Sequence, residues 1–427
     1  MSDTAAAARR RAPWGVLVVA VVTATLTGPG QTIGVSVFID HFVDDLDLSR
    51  SSVSAAYLVG TLTGSLALPF VGRFVDRRGV RLAQILVGAG FTLALVNMSF
   101  VNGLIWLTIG FVGIRCLGQG SLSLVSTVTV SVAFTERRGF ALGIFSVASA
   151  GLMALVPFGL NFAIDQVGWE RAWLIAAAVV GGVVIPLGWF GLTSLPRGVE
   201  RSPARARPVS TGAPIGPGIP AATEDRHDPS LTRGEAVRTR VFWVITMSSA
   251  MAGMLVTALN FHQIDLLGDA GLSETAAAAM FIPQVVGSTV AGLAVGWTAD
   301  RIGTRYLPAV AMVLLALAHV LASVAGPGVS VLAYAVSLGA TGGAVRVVTS
   351  TLLPAYFGTT HLGSIQGVLN LIGVGASALG PVTLAVAEGW FGSYPPAALS
   401  LAVLPVAVAL FALGPVERPL DSLEEVS

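Results

Sequence analysis

Two arginines stand where arginine is costly. Arg115 lies near the middle of one long apolar run, roughly residues 104–134, and Arg346 near the middle of another, roughly 328–357. A cation at the centre of a bilayer costs about 2.5–3.5 kcal/mol on the insertion scale, so it normally faces protein or water. No carboxylate lies at comparable depth in any apolar run to neutralise either one. The guanidinium offers a planar fork that matches a carboxylate, so the pair reads as a site for an anion. The competing reading is that each arginine binds backbone carbonyls at a broken helix. Arg346 has the stronger claim, because Gly342, Gly343, Thr349 and Thr351 give it an open, polar helix face.

Other polar residues could serve the same site. Gln119 is one turn from Arg115 and shares its face. Gln31 follows Gly28-Pro29-Gly30, an interruption whose freed backbone groups could face a substrate. Asn260, His262 and Gln263 fall toward the end of a later run. His262 can titrate near neutral pH and is the candidate for a coupling proton; the plainer alternative is a hydrogen-bonded interfacial histidine. The expected substrate-binding set is therefore Arg115, Arg346, Gln119, Gln31 and Asn260. No nucleotide-binding loop, metal-ligand cluster or nucleophile–base set occurs, so neither an enzyme, a metal nor a cofactor is expected. Cys116, the one cysteine, can form neither an internal disulfide nor, alone, a metal site.

The elements that must hold these residues are membrane spans. The 427 residues are 54% hydrophobic and 11% charged, with mean hydropathy +0.80; a soluble domain carries about 25% charge. Apolar runs of about 20 residues, enough to cross a bilayer, number twelve, six on each side of a polar break. The predicted organisation is all-α: a six-helix bundle over 1–195, a linker over 196–240, and a second six-helix bundle over 241–427 with a short tail. The linker carries seven prolines and five glycines and no apolar helical face, and such a segment cannot offset its ordering entropy by burial. A net charge of +1 implies no nucleic-acid partner.

Arginine sets the orientation, lysine being absent. One side holds Arg9–Arg11, Arg73, Arg77, Arg78, Arg81, Arg137, Arg138, Arg301, Arg305, Arg418 and the eight arginines of the linker; the other keeps Arg50 and Arg171. The positive-inside rule makes both termini cytoplasmic. The loops on the opposite side are acidic.

The chain also repeats itself. Gly72-Arg-Phe-Val-Asp76-Arg77-Arg-Gly79-Val-Arg81 recurs 224 residues later as Gly296-Trp-Thr-Ala-Asp300-Arg301-Ile-Gly303-Thr-Arg305. The same offset pairs Leu48-Ser49 with Leu272-Ser273, Gly118 with Gly342, Gly143 with Gly367 and Pro157 with Pro381. Such a period in an apolar chain is the mark of a two-bundle carrier. Gly72 and Gly296 would let a neighbouring helix come close, Gly79 and Gly303 would permit a tight turn, and Asp76 and Asp300 would pair with nearby arginines or cap a helix.

This recurring segment resembles the signature loop of the major facilitator superfamily, found between helices two and three and again between eight and nine. The resemblance implies twelve helices in two pseudo-symmetric bundles. It also implies a cytoplasmic latch formed by Gly72, Asp76, Arg77, Gly79 and Arg81 with Gly296, Asp300, Arg301, Gly303 and Arg305. Arg115-Cys-Leu-Gly118-Gln119-Gly120, then Gly139-Phe-Ala141-Leu-Gly143, and Tyr356-Phe357-Gly358 with Leu362-Gly363-Ser364-Ile365-Gln366-Gly367 are similar to the monocarboxylate-porter and oxalate–formate-exchanger branch. Members of that branch carry a substrate-binding arginine in helix eight, whereas the run from Glu274 to Ala299 holds no basic residue. In the superfamily helices one, four, seven and ten line the central cavity, which would bring Arg115 and Arg346 to the substrate.

The expected protein is a plasma-membrane secondary carrier of small organic anions, monocarboxylates foremost. It would work as a monomer by alternating access, with proton symport or anion exchange. Two other readings stand beside it: a proton-coupled exporter of drugs or metabolites, since Gly143, Gly151 and Pro157 partly match the pattern of exporter helix five, and a receptor or scaffold without flux.

Overall fold

The computed structural model describes residues 2–134, 138–193, 195, 230–302, 304–358 and 361–414. Most of the expected linker, the C-terminal tail and Gly303 lie outside them, as does the side chain of Asp300. Every apolar run read from the sequence lies on a helix. The first is a bent pair, α1, made of Trp14–Gly30 and Thr32–Asp45, with an angle of 46° between its parts. Then come α2 (Arg50–Arg78), α3 (Val80–Met98), α4 (Leu104–Ala133), α5 (Phe140–Val167) and α6 (Trp169–Gly191). The second set is α7 (Arg240–Phe261), α8 (Glu274–Ala299), α9 (Leu307–Ser323), α10 (Val329–Phe357), α11 (Ser364–Phe391) and α12 (Tyr394–Leu413). Ten are long and apolar enough to cross a membrane singly; the bent pair makes an eleventh. The twelfth, α9, has 17 residues, the short end of the spanning range.

The repeat has local causes. Ser49 and Ser273 cap α2 and α8, each accepting the backbone N–H three residues on, from Ser52 at 3.1 Å and Ala276 at 3.2 Å. A serine there satisfies one of the orphan donors of a helix start, which explains why Leu48-Ser49 returns as Leu272-Ser273. Gly79 holds φ at 81° between α2 and α3, the turn its position requires. Ahead of α7, Thr232 and Glu235 form a reciprocal capping box. The Glu235 carboxylate accepts the Thr232 N–H and hydroxyl, both at 2.8 Å, and these bonds hold its pKa below the usual value.

The two halves use the same pairings. In each, the second helix packs on the fourth (α2 on α4, α8 on α10), the first on the fifth (α1 on α5, α7 on α11) and the third on the sixth (α3 on α6, α9 on α12). Between halves, α2 meets α11 and α5 meets α8. Large apolar side chains stand exposed around the outside, among them Leu66, Leu93, Phe190 and Leu410. Exposure of this kind suits hydrocarbon rather than water. Trp106, Trp189, Trp297 and Trp390 are also exposed, at helix ends, where the amphipathic indole favours the membrane–water boundary.

Close helix crossings fall at glycines other than those expected. Around Gly72 and Gly296 nothing lies within 4 Å of where a side chain would begin, so the tight approach read for them is absent in this conformation. Such approaches occur deeper in the bundles. In the first half α2 supplies the glycines: a methyl at Gly60 would lie 2.8 Å from the Phe111 backbone, and one at Gly64 3.0 Å from the Cys116 nitrogen. In the second half methyls at Gly339 and Gly343 of α10 would overlap the carbonyl oxygens of Gln284 and Ser288 on α8, and methyls at Gly287 of α8 and Gly380 of α11 would overlap those of Val336 and Met254.

Candidate functional site

The two halves are joined at the end where the acidic loops lie. Arg50, at the start of α2, bonds Asp40 of its own half through Nη1 at 2.6 Å and Asp265 of the other half through Nη2 at 2.6 Å. Asn161 of α5 donates to Thr275 of α8 at 3.1 Å. The rings of Tyr57 and Phe261 meet edge to face at 4.6 Å between centroids. Toward the arginine-bearing end the halves part around a cavity of about 890 Å³.

Its walls come in equal measure from α5, α8 and α10, the last including Gly342, Gly343, Arg346 and Ser350, with Ser123 and Thr127 of α4 and small contributions from α1 and α7. Apolar side chains such as Phe145, Met153, Phe281 and Leu338 alternate with the hydroxyls of Ser123, Thr127, Ser146, Ser149 and Ser288. Among the described residues that line it, Arg346 alone is charged. Its side chain is exposed to this space, and Nη2 donates to the Ser288 hydroxyl. Ser288 is in reach because Gly343 lets α10 lie against α8 one turn away. The guanidinium lies beside Gly342, where a methyl would stand 3.8 Å from it, an ordinary contact.

Arg115 has a different setting. It is 3% exposed and does not line the cavity. Nε donates to Thr61 Oγ1 at 3.0 Å, Nη1 to the Gly30 carbonyl at 3.3 Å, and the guanidinium lies 4.4 Å from the centroid of the Tyr57 ring. Nη2 is buried without a partner among the described residues. Gly30 ends the three-residue 3₁₀ turn at the break in α1, so this cation satisfies a carbonyl freed by the broken helix. It also sits at the start of a π-helical stretch, Arg115–Leu122, inside α4.

The remaining candidates divide in the same way. Gln31 donates to Thr27 at 3.0 Å and to Ser123, a lining residue, at 3.3 Å. Gln119 and Asn260 are away from the lining, each with a buried side-chain oxygen that has no partner among the described residues. His262 is buried: Nε2 is 3.0 Å from the Pro381 carbonyl and Nδ1 is 3.2 Å from the Tyr394 hydroxyl. A carbonyl only accepts, so Nε2 carries the proton and Nδ1 accepts from Tyr394. Of the latch residues, Asp76, Arg77 and Arg301 are exposed, Arg81 donates to the Trp189 carbonyl at 2.9 Å, and Asp76 pairs with no described residue. Sequence reading missed Ser288, Gln284 and the hydroxyls of α4 and α5. Gln284 had a signal, being a lone amide within an apolar run; the serines had none.

Two pseudo-symmetric six-helix bundles, joined at one end and parted at the other around a largely apolar cavity that carries hydroxyls and one cation, define a carrier-type membrane fold. Residues 19–381 match the family model of the Major Facilitator Superfamily, and the chain belongs to that family. It is similar to an uncharacterized MFS-type transporter, YcxA, of Bacillus subtilis, with 24% identity over 63% of this chain and 60% of that protein. The chain thus spans less than two thirds of that relative's length. Monocarboxylate transporter 11 of Mus musculus is 24% identical over 74% of this chain and 68% of its own. Among solved structures, a bacterial homolog of the human lysosomal transporter Spinster, inward-facing and unoccupied, superimposes with TM-score 0.69 at 15% identity, covering 94% of this chain and 95% of that one. At that identity the likeness speaks for the fold alone.

Proposed function

We propose that this protein is a secondary carrier of organic monoanions that binds the substrate carboxylate at Arg346. The observation that carries the reading is a single cation, held by Ser288, facing a cavity between the halves with no carboxylate among its described lining residues. A guanidinium in such a space binds a carboxylate through paired hydrogen bonds, and one positive centre favours one negative charge. Family membership supports a carrier rather than an enzyme, and the similarity to a monocarboxylate transporter agrees with the charge. Arg115, first grouped with Arg346, acts in this reading on the break in α1.

The carrier resides in the cell membrane with both termini cytoplasmic, following the arginine distribution. Its cavity then opens toward the cytoplasm, and the Arg50 links close the outer end. Asp76, Arg77, Gly79 and Arg81, with Asp300, Arg301, Gly303 and Arg305, would close the cytoplasmic end in the opposite state. His262 would carry a coupling proton by reversing the bond with Tyr394, Nδ1 then donating to the hydroxyl oxygen. Symport with a protonated substrate, or exchange of anions, needs no such step.

The test is uptake of labelled mono- and dicarboxylates into proteoliposomes, with and without an inward proton gradient, for wild type and Arg346→Gln. Uptake of a monocarboxylate that Arg346→Gln abolishes supports the reading; uptake unchanged in that variant overturns the site. The size of the cavity and its many apolar walls favour one second reading, export of a larger amphipathic compound. Extrusion against an opposed proton gradient, with no carboxylate uptake, would replace the first by the second.

A further inference from the structure

Two buried side chains behind the cavity wall, Gln263 and Tyr334, fix the polarity of one group that lines it, Gln284. Gln263, fully buried, donates from Nε2 to the Ala277 carbonyl at 3.0 Å. A backbone carbonyl only accepts, so the Gln263 amide cannot be turned over. Its Oε1 therefore faces Gln284, whose Nε2 donates to it at 2.6 Å, while the Tyr334 hydroxyl lies 3.5 Å away. Gln284 is in turn fixed, with one N–H committed. It lines the cavity, and its Oε1 accepts from no described residue. What it offers to the cavity is one acceptor oxygen and one remaining N–H.

Gln284 and Ser288 stand four residues apart on α8, about 6 Å along the helix axis. Ser288 holds Arg346. The wall thus presents a cation and, one turn away, an amide that can both accept and donate. A hydroxyl complements the amide in both senses. A second carboxylate has no proton to give Oε1 and meets its lone pairs. An ammonium has no acceptor for the N–H and would bring a second cation toward Arg346.

We propose that Gln284 is a specificity-determining residue, and that the substrate is a monocarboxylate carrying a hydroxyl roughly one helical turn from its carboxylate. The proposal rests on the reading that Arg346 binds the carboxylate. Phe145 and Phe281 line the same cavity, whose volume accepts an aromatic body between the two polar ends. Dicarboxylates of similar span are rejected for want of a second cation.

The experiment measures binding of four probes to the full chain in detergent by calorimetry: benzoate, 4-hydroxybenzoate, 4-methoxybenzoate and terephthalate. 4-Hydroxybenzoate holds its hydroxyl across the ring from the carboxylate; the methoxy analogue keeps the oxygen and lacks the proton. Wild type is expected to bind 4-hydroxybenzoate about tenfold more tightly than benzoate or 4-methoxybenzoate, the worth of one well-made hydrogen bond, and terephthalate more weakly than benzoate. Gln284→Leu should bring the hydroxyl preference to within about twofold while benzoate still binds, which also reports a folded site. If Gln284→Leu does not fold, the wild-type ligand series decides alone. Equal binding of the hydroxyl and methoxy compounds by wild type, with both lost in Arg346→Gln, overturns the role of Gln284 and leaves the carboxylate site standing. No binding of any probe by wild type overturns both.

Discussion

Arg115 and Arg346 occupy equivalent helices of the two halves yet do different things. In the 224-residue register Arg115 aligns with Gly339 and Arg346 with Leu122. The two are displaced by seven residues, two turns of helix and about 10 Å of depth. Arg115 meets Thr61, the Gly30 carbonyl and the face of Tyr57, whereas Arg346 meets one hydroxyl and open space. A buried cation is therefore no guide to a ligand until its donors have been counted. Arg115 is enclosed by protein, with its Nη2 left over in the buried space, whereas Arg346, held by one hydroxyl, opens to the cavity.

Substitutions can break or sharpen this contrast. The largest effect is expected from Arg346→Gln, which should weaken anion binding about 100-fold or more, since truncating one partner of a desolvated charge pair costs about 2–5 kcal/mol. Calorimetry would read this, and Arg115→Gln should change the same affinity less than about threefold. The reverse ranking would transfer the site to α4.

Next comes Gly339→Ala, whose methyl would overlap the Gln284 carbonyl. Overpacking of this kind costs about 1–3 kcal/mol, visible as a lower Tm in detergent and as weakened anion binding. Gly342→Ala is the control, because its methyl meets only the Arg346 guanidinium at 3.8 Å; its Tm should stay within about 2 °C.

Arg115→Gln should also lower Tm, by the about 1–3 kcal/mol that stranded buried acceptors cost. An unchanged Tm would mean that the break in α1 does not depend on this cation.

The smallest effect is expected from Arg50→Gln. Its carboxylate links are partly exposed, and such pairs contribute about 1 kcal/mol or less. Spin labels at Asp44→Cys and Asp269→Cys, in a Cys116→Ser background, should show a several-fold rise in the population separated at the acidic end. An unaltered distance distribution would mean that the Tyr57–Phe261 and Asn161–Thr275 contacts suffice to close it.

Much of the architecture was legible because it is written in one dimension. Apolar run length gave the helices, and the return of Leu48-Ser49 as Leu272-Ser273 marked the repeat, while the capping bonds of the two serines were not read from it. The site was less legible, since it depends on pairings between distant segments. Arg115 finds partners 54 and 85 residues away, and a π-helical stretch changes the direction of side chains that a regular period would place. The resemblance to carriers lined by helices one, four, seven and ten also underweighted α5 and α8, which each form as much of the walls as α10. Arg50 was read only as one of two arginines on the acidic side; its cross-half bond to Asp265 depends on how the bundles meet, which local sequence does not encode.

Beside the cavity, the glycines that let the second and fourth helices cross closely are Gly60 and Gly64 of α2 in the first half and Gly339 and Gly343 of α10 in the second, joined there by Gly287 of α8 against the Val336 carbonyl. Gly339 and Gly343 meet the backbone of Gln284 and Ser288, so the side chains at those two positions of α8 are left free to vary. Selectivity and foldability are thereby written on different strands of text. Over generations, or in a randomised library, positions 284 and 288 can change what is carried while α10 keeps the half intact. The corresponding positions of the first half, Gly60 and Gly64, have no such freedom, so new substrates should arise on one side of this molecule far more readily than on the other.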